Sequence, residues 1–155
     1  ITVLVNASPA FPTHCLVVPN IDAVLPQVMT PELVRVGTAV AVATSRPDLV
    51  VGFNSTGAHS SVNHFHLQTW YMEPVWGRNT VPVEAHKTTN LVASRDVCLD
   101  VSVDYPTPFF AVHTPEGAAS HAVRDDVVAA LVTHMCDNNI AHQHTHIYAY
   151  IQLLY

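Results

Sequence analysis

The stretch Val62–Trp70, which reads V-N-H-F-H-L-Q-T-W, is the most informative part of the chain. Polar and apolar residues alternate along it, and this predicts a β-strand because successive strand side chains point to opposite faces. Phe65 and Leu67 would anchor one face in a hydrophobic core. The opposite face would carry two imidazoles, an amide and an indole, from His64, His66, Gln68 and Trp70.

The spacing of these polar groups suits phosphate chemistry. Alternate side chains of a strand lie about 7 Å apart, so one imidazole can attack phosphorus while its neighbour orients or protonates and the amide donates to a phosphoryl oxygen. The chain has 11 His among 155 residues, however, and a His-x-His pair is also typical of an exposed surface or an accidental metal site. The preceding run, V-V-G-F-N-S-T-G-A-H-S-S at Val50–Ser61, favours catalysis, because a polar loop after a short strand can offer N–H groups to an anion.

Three blocks of the chain resemble the histidine-triad superfamily in its H-x-H-x-Q form. The first, V-N-A-S-P-A-F-P-T-H-C-L-V-V-P at Val5–Pro19, is similar to the family stretch I-N-V-S-P-x-x-x-G-H-x-L-L-x-P. The second, G-F-N-S-T-G-A-H-S-S-V-N-H-F-H-L-Q at Gly52–Gln68, is similar to G-Y-N-S-L-G-A-x-A-x-x-N-H-L-H-F-Q. The third is D-Y-P-T-P-F-F-A-V at Asp104–Val112, followed by C-D-N-N-I-A-H at Cys136–His142. Within the superfamily, the blocks most resemble the GDP-L-galactose/GDP-D-glucose phosphorylases.

This resemblance implies an α+β fold in which helices pack on a HIT-like antiparallel sheet made of two related halves. It also implies a nucleotidyltransferase that acts on GDP-L-galactose or GDP-D-glucose through a covalent guanylyl-histidine and releases hexose 1-phosphate and GDP. The expected partners are the GDP-sugar and inorganic phosphate, and no cofactor or metal is expected. The alternative is a catalytically inactive HIT-like structural subunit of a larger assembly.

The resemblance assigns roles to individual residues. His66 matches the covalent nucleophile, whose other ring nitrogen needs an acceptor that selects the tautomer. His64 is expected to orient the reaction or protonate the leaving group, although it could also pack near the site without a role. Gln68 stands where the classical triad has its third His and would bind the phosphate. The predicted nucleotide- and phosphate-binding residues are Asn54, Ser55, Gly57, Asn63, Asn6 and His14.

Some of these residues also have purely structural explanations. Asn54 and Gly57 are typical of turns, and a His at the start of a strand, such as His14, is often simply exposed. The chain departs from the family pattern at Thr13, where the family has Gly before the His, and at Phe109, where it again has Gly.

A second histidine cluster, His142-Gln143-His144-Thr145-His146, is the main alternative site. Three His at alternate positions can share one strand face and would hold zinc or copper if preorganised. A solvated polar face is the other interpretation, and the family places no catalytic His here. Cys15, Cys98 and Cys136 form neither a C-x-x-C zinc spacing nor a disulfide framework, which favours a reducing compartment.

The composition restricts the classes of partner. The net charge of −6 argues against a nucleic-acid surface or a polybasic membrane patch. No apolar run approaches the roughly 18 residues needed to span a bilayer, and no signal peptide is visible, so a cytoplasmic location or an organellar assembly is expected. Only 12% of the residues are charged and 49% are hydrophobic, which indicates a homodimer or a subunit of a larger complex. The chain begins at Ile1 rather than Met, as a fragment or a processed form would.

Local signals predict the order of the elements. Strands are expected at Ile1–Asn6, His14–Val18, Leu49–Phe53, Val62–Met72, Asp96–Val103, Phe109–His113 and Ile147–Tyr155. Thr30-Pro31-Glu32 starts a first helix that runs to Ser45, and a second amphipathic helix covers Val123–Met135. Residues 1–72 would form the half that carries the His-x-His-x-Gln motif, residues 73–90 a connector, and residues 91–155 a second, degenerate half.

Overall fold

The computed structural model describes residues 1–56, 58, 60–116 and 121–140, and the backbone of residues 142–146 and 149–153. The described strands are β1 (Thr2–Val5), β2 (Cys15–Val18), β3 (Leu49–Asn54), β4 (Leu67–Tyr71), β5 (Thr88–Ala93), β6 (Cys98–Ser102), β7 (Phe109–His113), β8 (His142–His146) and β9 (Ala149–Leu153). The helices are α1 (Pro31–Ala43), the short α2 (Glu73–Trp76) and α3 (Ala122–Asp137), with 3-10 turns at Ile21–Ala23 and Pro82–Ala85.

All of these strands belong to one sheet, in the order β1-β2-β4-β3-β8-β9-β7-β6-β5. Every neighbouring pair is antiparallel. The order β1-β2-β4-β3 reappears in the second half as β6-β7-β9-β8, and in both halves the helix follows the second strand of the set. The α+β fold class, the antiparallel sheet and the two related halves expected from the sequence are therefore confirmed.

Helices α1 and α3 cover one face of the sheet, which we call the helix face. Helix α1 begins as predicted, with Pro31 in its first turn and the Thr30 hydroxyl accepting from the Leu33 N–H at 3.4 Å. The core beneath α1 and α3 buries apolar side chains of both halves, among them Val17, Leu33, Val34, Val51, Phe53, Phe65, Leu67, Val112, Val128 and Val132. The opposite surface, which we call the open face, carries Leu16, Gly52, Gln68 and Trp70.

Three elements differ from the sequence-based expectation. The strand predicted over Val62–Met72 is regular only over Leu67–Tyr71, because the backbone of Phe65 and His66 bonds to the Leu25–Gln27 segment instead of a strand. Strand β5 begins at Thr88, within the segment predicted as a connector. The predicted last strand, Ile147–Tyr155, is described as β9 over Ala149–Leu153, and β8 covers the second histidine cluster.

Candidate active site

A cavity of about 280 Å³ lies on the open face where β1, β2 and β4 meet. His64, His66, Gln68 and Asn6 line it, as do Ser60, Ser61 and Val62 of the polar loop. One row of cross-strand partners, Leu4–Leu16–Gln68–Gly52, runs beside it. Gly52, the partner of Gln68 on β3, has no side chain and is buried.

His66 is held in a single tautomer. Its Nδ1 lies 2.8 Å from the carbonyl oxygen of His64. A carbonyl oxygen only accepts hydrogen bonds, so Nδ1 carries the proton and donates, and the lone pair of the neutral ring is on Nε2. His66 therefore has the acceptor on its second nitrogen that a nucleophilic imidazole requires.

The backbone of His66 is held by Gln27, a residue that the sequence did not single out. The Gln27 side chain is 1% exposed. Its Nε2 donates to the carbonyl oxygens of Asn54 and His66, both at 3.1 Å, and its Oε1 accepts from the His66 N–H at 2.9 Å. Gln27 thus joins the end of β3 to the segment that leads into β4, replacing the ladder bonds that a longer strand would make.

A directed chain of hydrogen bonds orients the Gln68 amide. The carbonyl oxygen of Ala58 accepts from Asn54 Nδ2 at 2.9 Å, which places Asn54 Oδ1 toward Gln68. Asn54 Oδ1 in turn accepts from Gln68 Nε2 at 3.1 Å. A side-chain amide has two N–H groups, and only one of those of Gln68 is used by Asn54. Because Gln68 lines the cavity, its second N–H is available to a ligand there.

His14 extends this chain on the other side of Gln68. It is 5% exposed, and its Nδ1 accepts from the Ala10 N–H at 2.9 Å, so the neutral ring carries its proton on Nε2. Burial lowers the pKa of His14, a hydrogen bond with the Gln68 side chain opposes this, and the charge of nearby His66 lowers the pKa further. His14 is therefore a neutral donor next to Gln68. Its Nε2 lies 3.2 Å from Asn6 Nδ2, but this contact joins two N–H groups in that tautomer and is not a hydrogen bond.

The other predicted site residues occupy different positions. His64 lines the cavity, but its Nε2 is buried without a hydrogen-bond partner among the described residues, and its carbonyl oxygen makes the contact with His66. Among the described residues, Ser55 and Asn63 do not line the cavity. Ser55 is buried, and the Oδ1 of Asn63 accepts a hydrogen bond from the Gln27 N–H at 3.0 Å. Gly57 lies outside the described residues.

Sequence reasoning also missed the apolar wall of the cavity. Leu4, Leu16, Val18 and Ile21 form this wall beside the imidazoles. The alternation of β1 and β2 was a usable signal, since Leu4 and Leu16 are cross-strand partners on the open face. Such a wall suits a flat, largely apolar group such as a nucleobase.

Two wider features of the described part bear on function. It contains no helix that is long and apolar enough to cross a membrane. It contains no group of three or more His, Cys, Asp or Glu arranged to hold a metal ion. The side chains of His142, His144 and His146, where a metal was considered, lie outside the described residues.

Comparison with known proteins agrees with the fold and with the resemblance seen in the sequence. Residues 1–70 match the family model of the GDPGP1-like N-terminal domain. The chain is 30% identical over 141 residues to GDP-D-glucose phosphorylase 1 of Danio rerio, covering 91% of this chain and 38% of that protein. It is 31% identical over 142 residues to GDP-D-glucose phosphorylase 1 of Homo sapiens, covering 92% of this chain and 35% of that protein. GDP-L-galactose phosphorylase 1 of Arabidopsis thaliana is 27% identical over 138 residues, with coverage of 89% and 30%. The chain thus spans about a third of the length of these relatives.

Two solved structures share the fold. A DUF4931 family protein from Bacillus cereus superposes with a TM-score of 0.67 at 12% identity, covering 98% of this chain and 80% of that one. Yeast Ap4A phosphorylase in complex with Ap4A superposes with a TM-score of 0.62 at 17% identity, covering 98% and 55%. The resemblance inferred from the three sequence blocks is confirmed, since residues 1–70 match the model of the GDPGP1-like N-terminal domain and the relatives named above are GDP-hexose phosphorylases.

Proposed function

We propose that this chain carries the catalytic site of a GDP-hexose phosphorylase that works through a covalent guanylyl-histidine on His66. The observation that carries the proposal is the bond from His66 Nδ1 to the His64 carbonyl oxygen, which leaves Nε2 as the nucleophile. The names of the relatives, GDP-D-glucose phosphorylase and GDP-L-galactose phosphorylase, support the substrate class.

In the first step, the lone pair of His66 Nε2 attacks the α-phosphorus of the GDP-hexose. A nitrogen–phosphorus bond forms, the bond from the α-phosphorus to the bridging oxygen breaks, and hexose 1-phosphate leaves with that oxygen and its electron pair. The imidazole becomes cationic, and its Nδ1–H, donating to the His64 carbonyl oxygen, stabilises that charge. Because the second ionisation of a phosphate monoester has a pKa near 6, this leaving group departs as a stable anion at neutral pH.

In the second step, an oxygen of inorganic phosphate attacks the same α-phosphorus. The nitrogen–phosphorus bond breaks, GDP leaves, and the lone pair returns to His66 Nε2. Two successive displacements at one phosphorus predict ping-pong kinetics.

The phosphoryl oxygens would be held by uncharged donors. Among the described residues no Lys or Arg lines the cavity, but the second N–H of Gln68 and the Ser61 hydroxyl lie there. The Ser60 hydroxyl already donates to the Val62 carbonyl oxygen at 3.1 Å. Preorganised neutral donors in a partly desolvated site stabilise developing negative charge effectively, because they need no reorganisation during the reaction. The apolar wall of Leu4, Leu16, Val18 and Ile21 would receive the guanine and ribose.

The proposal is tested by trapping the intermediate. GDP-glucose labelled at the α-phosphorus should transfer its label to the wild-type chain when phosphate is omitted, and added phosphate should release the label as GDP. His66→Ala should abolish both reactions, whereas His134→Ala, which removes an exposed imidazole on α3, should leave them unchanged.

Two results would contradict the proposal. One is labelling that persists in His66→Ala. The other is a wild-type chain that binds GDP-glucose but never becomes labelled, which would favour the catalytically inactive structural subunit instead.

A further inference from the structure

A second pocket lies on the open face, beyond Trp70. It has a volume of about 350 Å³ and is lined by Trp70, Met72, Trp76, Arg78, Val81 and Pro82. The phenyl ring of Phe11 braces both indoles, with centroid distances of 4.7 Å to Trp76 and 5.7 Å to Trp70. We call this the tryptophan pocket.

The tryptophan pocket contains a polar group that the fold leaves unsatisfied. The Nε1 of Trp70 is buried and has no hydrogen-bond partner among the described residues. A buried indole N–H normally finds an acceptor. An acceptor from a ligand would complete this site.

A matching acceptor adjoins the pocket, on a residue that is not itself among those lining it. The carboxylate of Glu84 is held against the pocket residue Val81, because its Oε2 accepts from the Val81 N–H at 3.1 Å. Its Oε1 is buried without a partner in the described part of the chain. Burial raises the pKa of Glu84, and the bond from Val81 opposes this. One hydroxyl group both donates and accepts, so a polyhydroxylated ligand suits an orphan donor and an orphan acceptor together.

The pocket also offers a cation and flat apolar surfaces. Arg78 is exposed and has no carboxylate partner among the described residues. The face of an indole presents a rigid apolar surface with a polar edge, and Trp76 is 44% exposed, so its ring is available to a ligand. Together these groups match a sugar ring that carries a phosphate.

The position of the pocket relates it to the His66 site. Trp70 lies two residues beyond Gln68 on the same strand face, a separation of about 7 Å. His14 contacts both sides, since it hydrogen-bonds with Gln68 and its ring centroid lies 6.1 Å from that of Trp70. In a GDP-hexose only the pyrophosphate bridge separates the α-phosphorus from the hexose, a span comparable with the separation of Gln68 and Trp70.

We infer that the tryptophan pocket, with Trp70, Trp76, Arg78 and the Glu84 carboxylate, binds the hexose 1-phosphate part of the substrate. The inference rests on the proposed function for its substrate class. The nucleoside occupies the other cavity, where the wall is aliphatic and adjoins His66. The two parts of the substrate then extend in opposite directions from the reacting phosphorus.

The chain provides its own probe for this site. It contains only two Trp, and both line the pocket. Titration of the wild-type chain with α-D-glucose 1-phosphate alone should therefore change the tryptophan emission saturably. Inorganic phosphate and GDP, titrated separately, should leave the emission nearly unchanged. This measurement needs no turnover, so it tests the pocket even if His66 forms no guanylyl adduct.

Variants separate the hexose from the nucleotide. Trp76→Leu and Arg78→Ala, both at exposed positions, should weaken binding of glucose 1-phosphate and GDP-glucose about tenfold or more, while GDP affinity by calorimetry stays within about twofold. Arg95→Ala removes an exposed arginine outside the pocket and should change none of these affinities. His66→Ala should abolish guanylyl transfer but keep the fluorescence response.

Each other outcome overturns the inference. If inorganic phosphate reproduces the whole response, the pocket is an anion site rather than a sugar site. If Trp76→Leu weakens GDP and GDP-glucose equally, the pocket holds the nucleoside. If glucose 1-phosphate causes no response while His66 still becomes labelled, the hexose binds elsewhere and only the proposed function survives.

Discussion

Strands β2 and β4 of the first half correspond in topology to β7 and β9 of the second, yet the open face differs between the two halves. In the first half, Leu16 and Gln68 border a cavity with the imidazoles beside them. In the second half, Phe109 and Ala111 of β7 are buried under Val81 and Val83. The same sheet geometry therefore supports a polar site in one half and a small apolar core in the other.

The difference shows what keeps a site open. Polar groups at the cavity are held by directed hydrogen bonds, as in the chain from Ala58 through Asn54 to Gln68. The second half instead receives the segment around Pro82–Ala85, which packs on β7 and closes the face. Both halves contribute to the large core on the helix face. On the open face, however, the second half is closed by apolar packing, whereas the first half is ordered by hydrogen bonds that position side chains.

The largest expected effect is on the closed half. Phe109 is 1% exposed and packs edge-on against Tyr105 at a centroid distance of 5.2 Å. Phe109→Ala should lower the free energy of unfolding by about 3–5 kcal/mol, because it leaves a cavity. Leu91→Ala on the exposed strand β5 should change it by less than about 0.5 kcal/mol. Urea denaturation measures both, and the GDP affinity of the folded fraction should not change. A matching loss of GDP affinity would show that the two halves are not independent.

Gln27→Met is the corresponding change in the open half. It removes three hydrogen bonds to the backbone of Asn54 and His66 in a buried position, so the free energy of unfolding should fall by about 2–4 kcal/mol. Because Gln27 positions His66, the rate of guanylyl transfer per folded molecule should fall as well, with GDP affinity less affected. Amide exchange should become faster at His66 in particular. An unchanged transfer rate in the folded fraction would reduce Gln27 to a purely structural residue.

His14 makes the open half sensitive to pH. Burial is the main reason that the pKa of His14 is lower in the folded protein than in the unfolded chain. As the pH falls through the ordinary His value near 6.5, His14 of the unfolded chain is therefore protonated before His14 of the folded protein. The contribution of His14 to stability is therefore complete above that pH and is lost progressively below it. Chemical denaturation from pH 8 to pH 5 should show this slope, and His14→Gln should reduce it. An equal slope in His14→Gln would assign the effect to other groups.

The elements that the sequence predicted well depend on local signals. Thr30 and Pro31 mark the start of α1, and the alternation around Phe65 and Leu67 correctly predicted which residues enter the core. The predicted role of Gln68 in binding phosphate stays a prediction, although its side chain borders the cavity.

The features that the sequence missed depend on distant partners. Gln27 contacts residues 27 and 39 positions further along the chain, and no local pattern distinguishes it from an exposed Gln. Its contacts also explain why the regular strand starts only at Leu67. Strand β5 was missed because its six residues are all exposed at the sheet edge, so no apolar alternation marks it.

The smallest expected effect on stability concerns Thr13, where the related family has Gly. Thr13 has a φ of 69°, in the left-handed region that disfavours a β-branched residue. The connection between β6 and β7 contains a comparable residue, Asp104, with a φ of 59°. Asp tolerates this conformation better than Thr, since its short side chain can bond locally.

Thr13→Gly should therefore stabilise the chain by about 1 kcal/mol, and Asp104→Gly by less. The gain at Thr13 is reduced because its hydroxyl accepts from the Tyr71 N–H at 3.1 Å, although water can replace that bond at an exposed position. Thermal unfolding of the two variants measures the difference directly. A loss of stability in Thr13→Gly would mean that the bond to Tyr71 outweighs the backbone strain, and that Thr at this position stabilises the contact between the β1–β2 connection and β4.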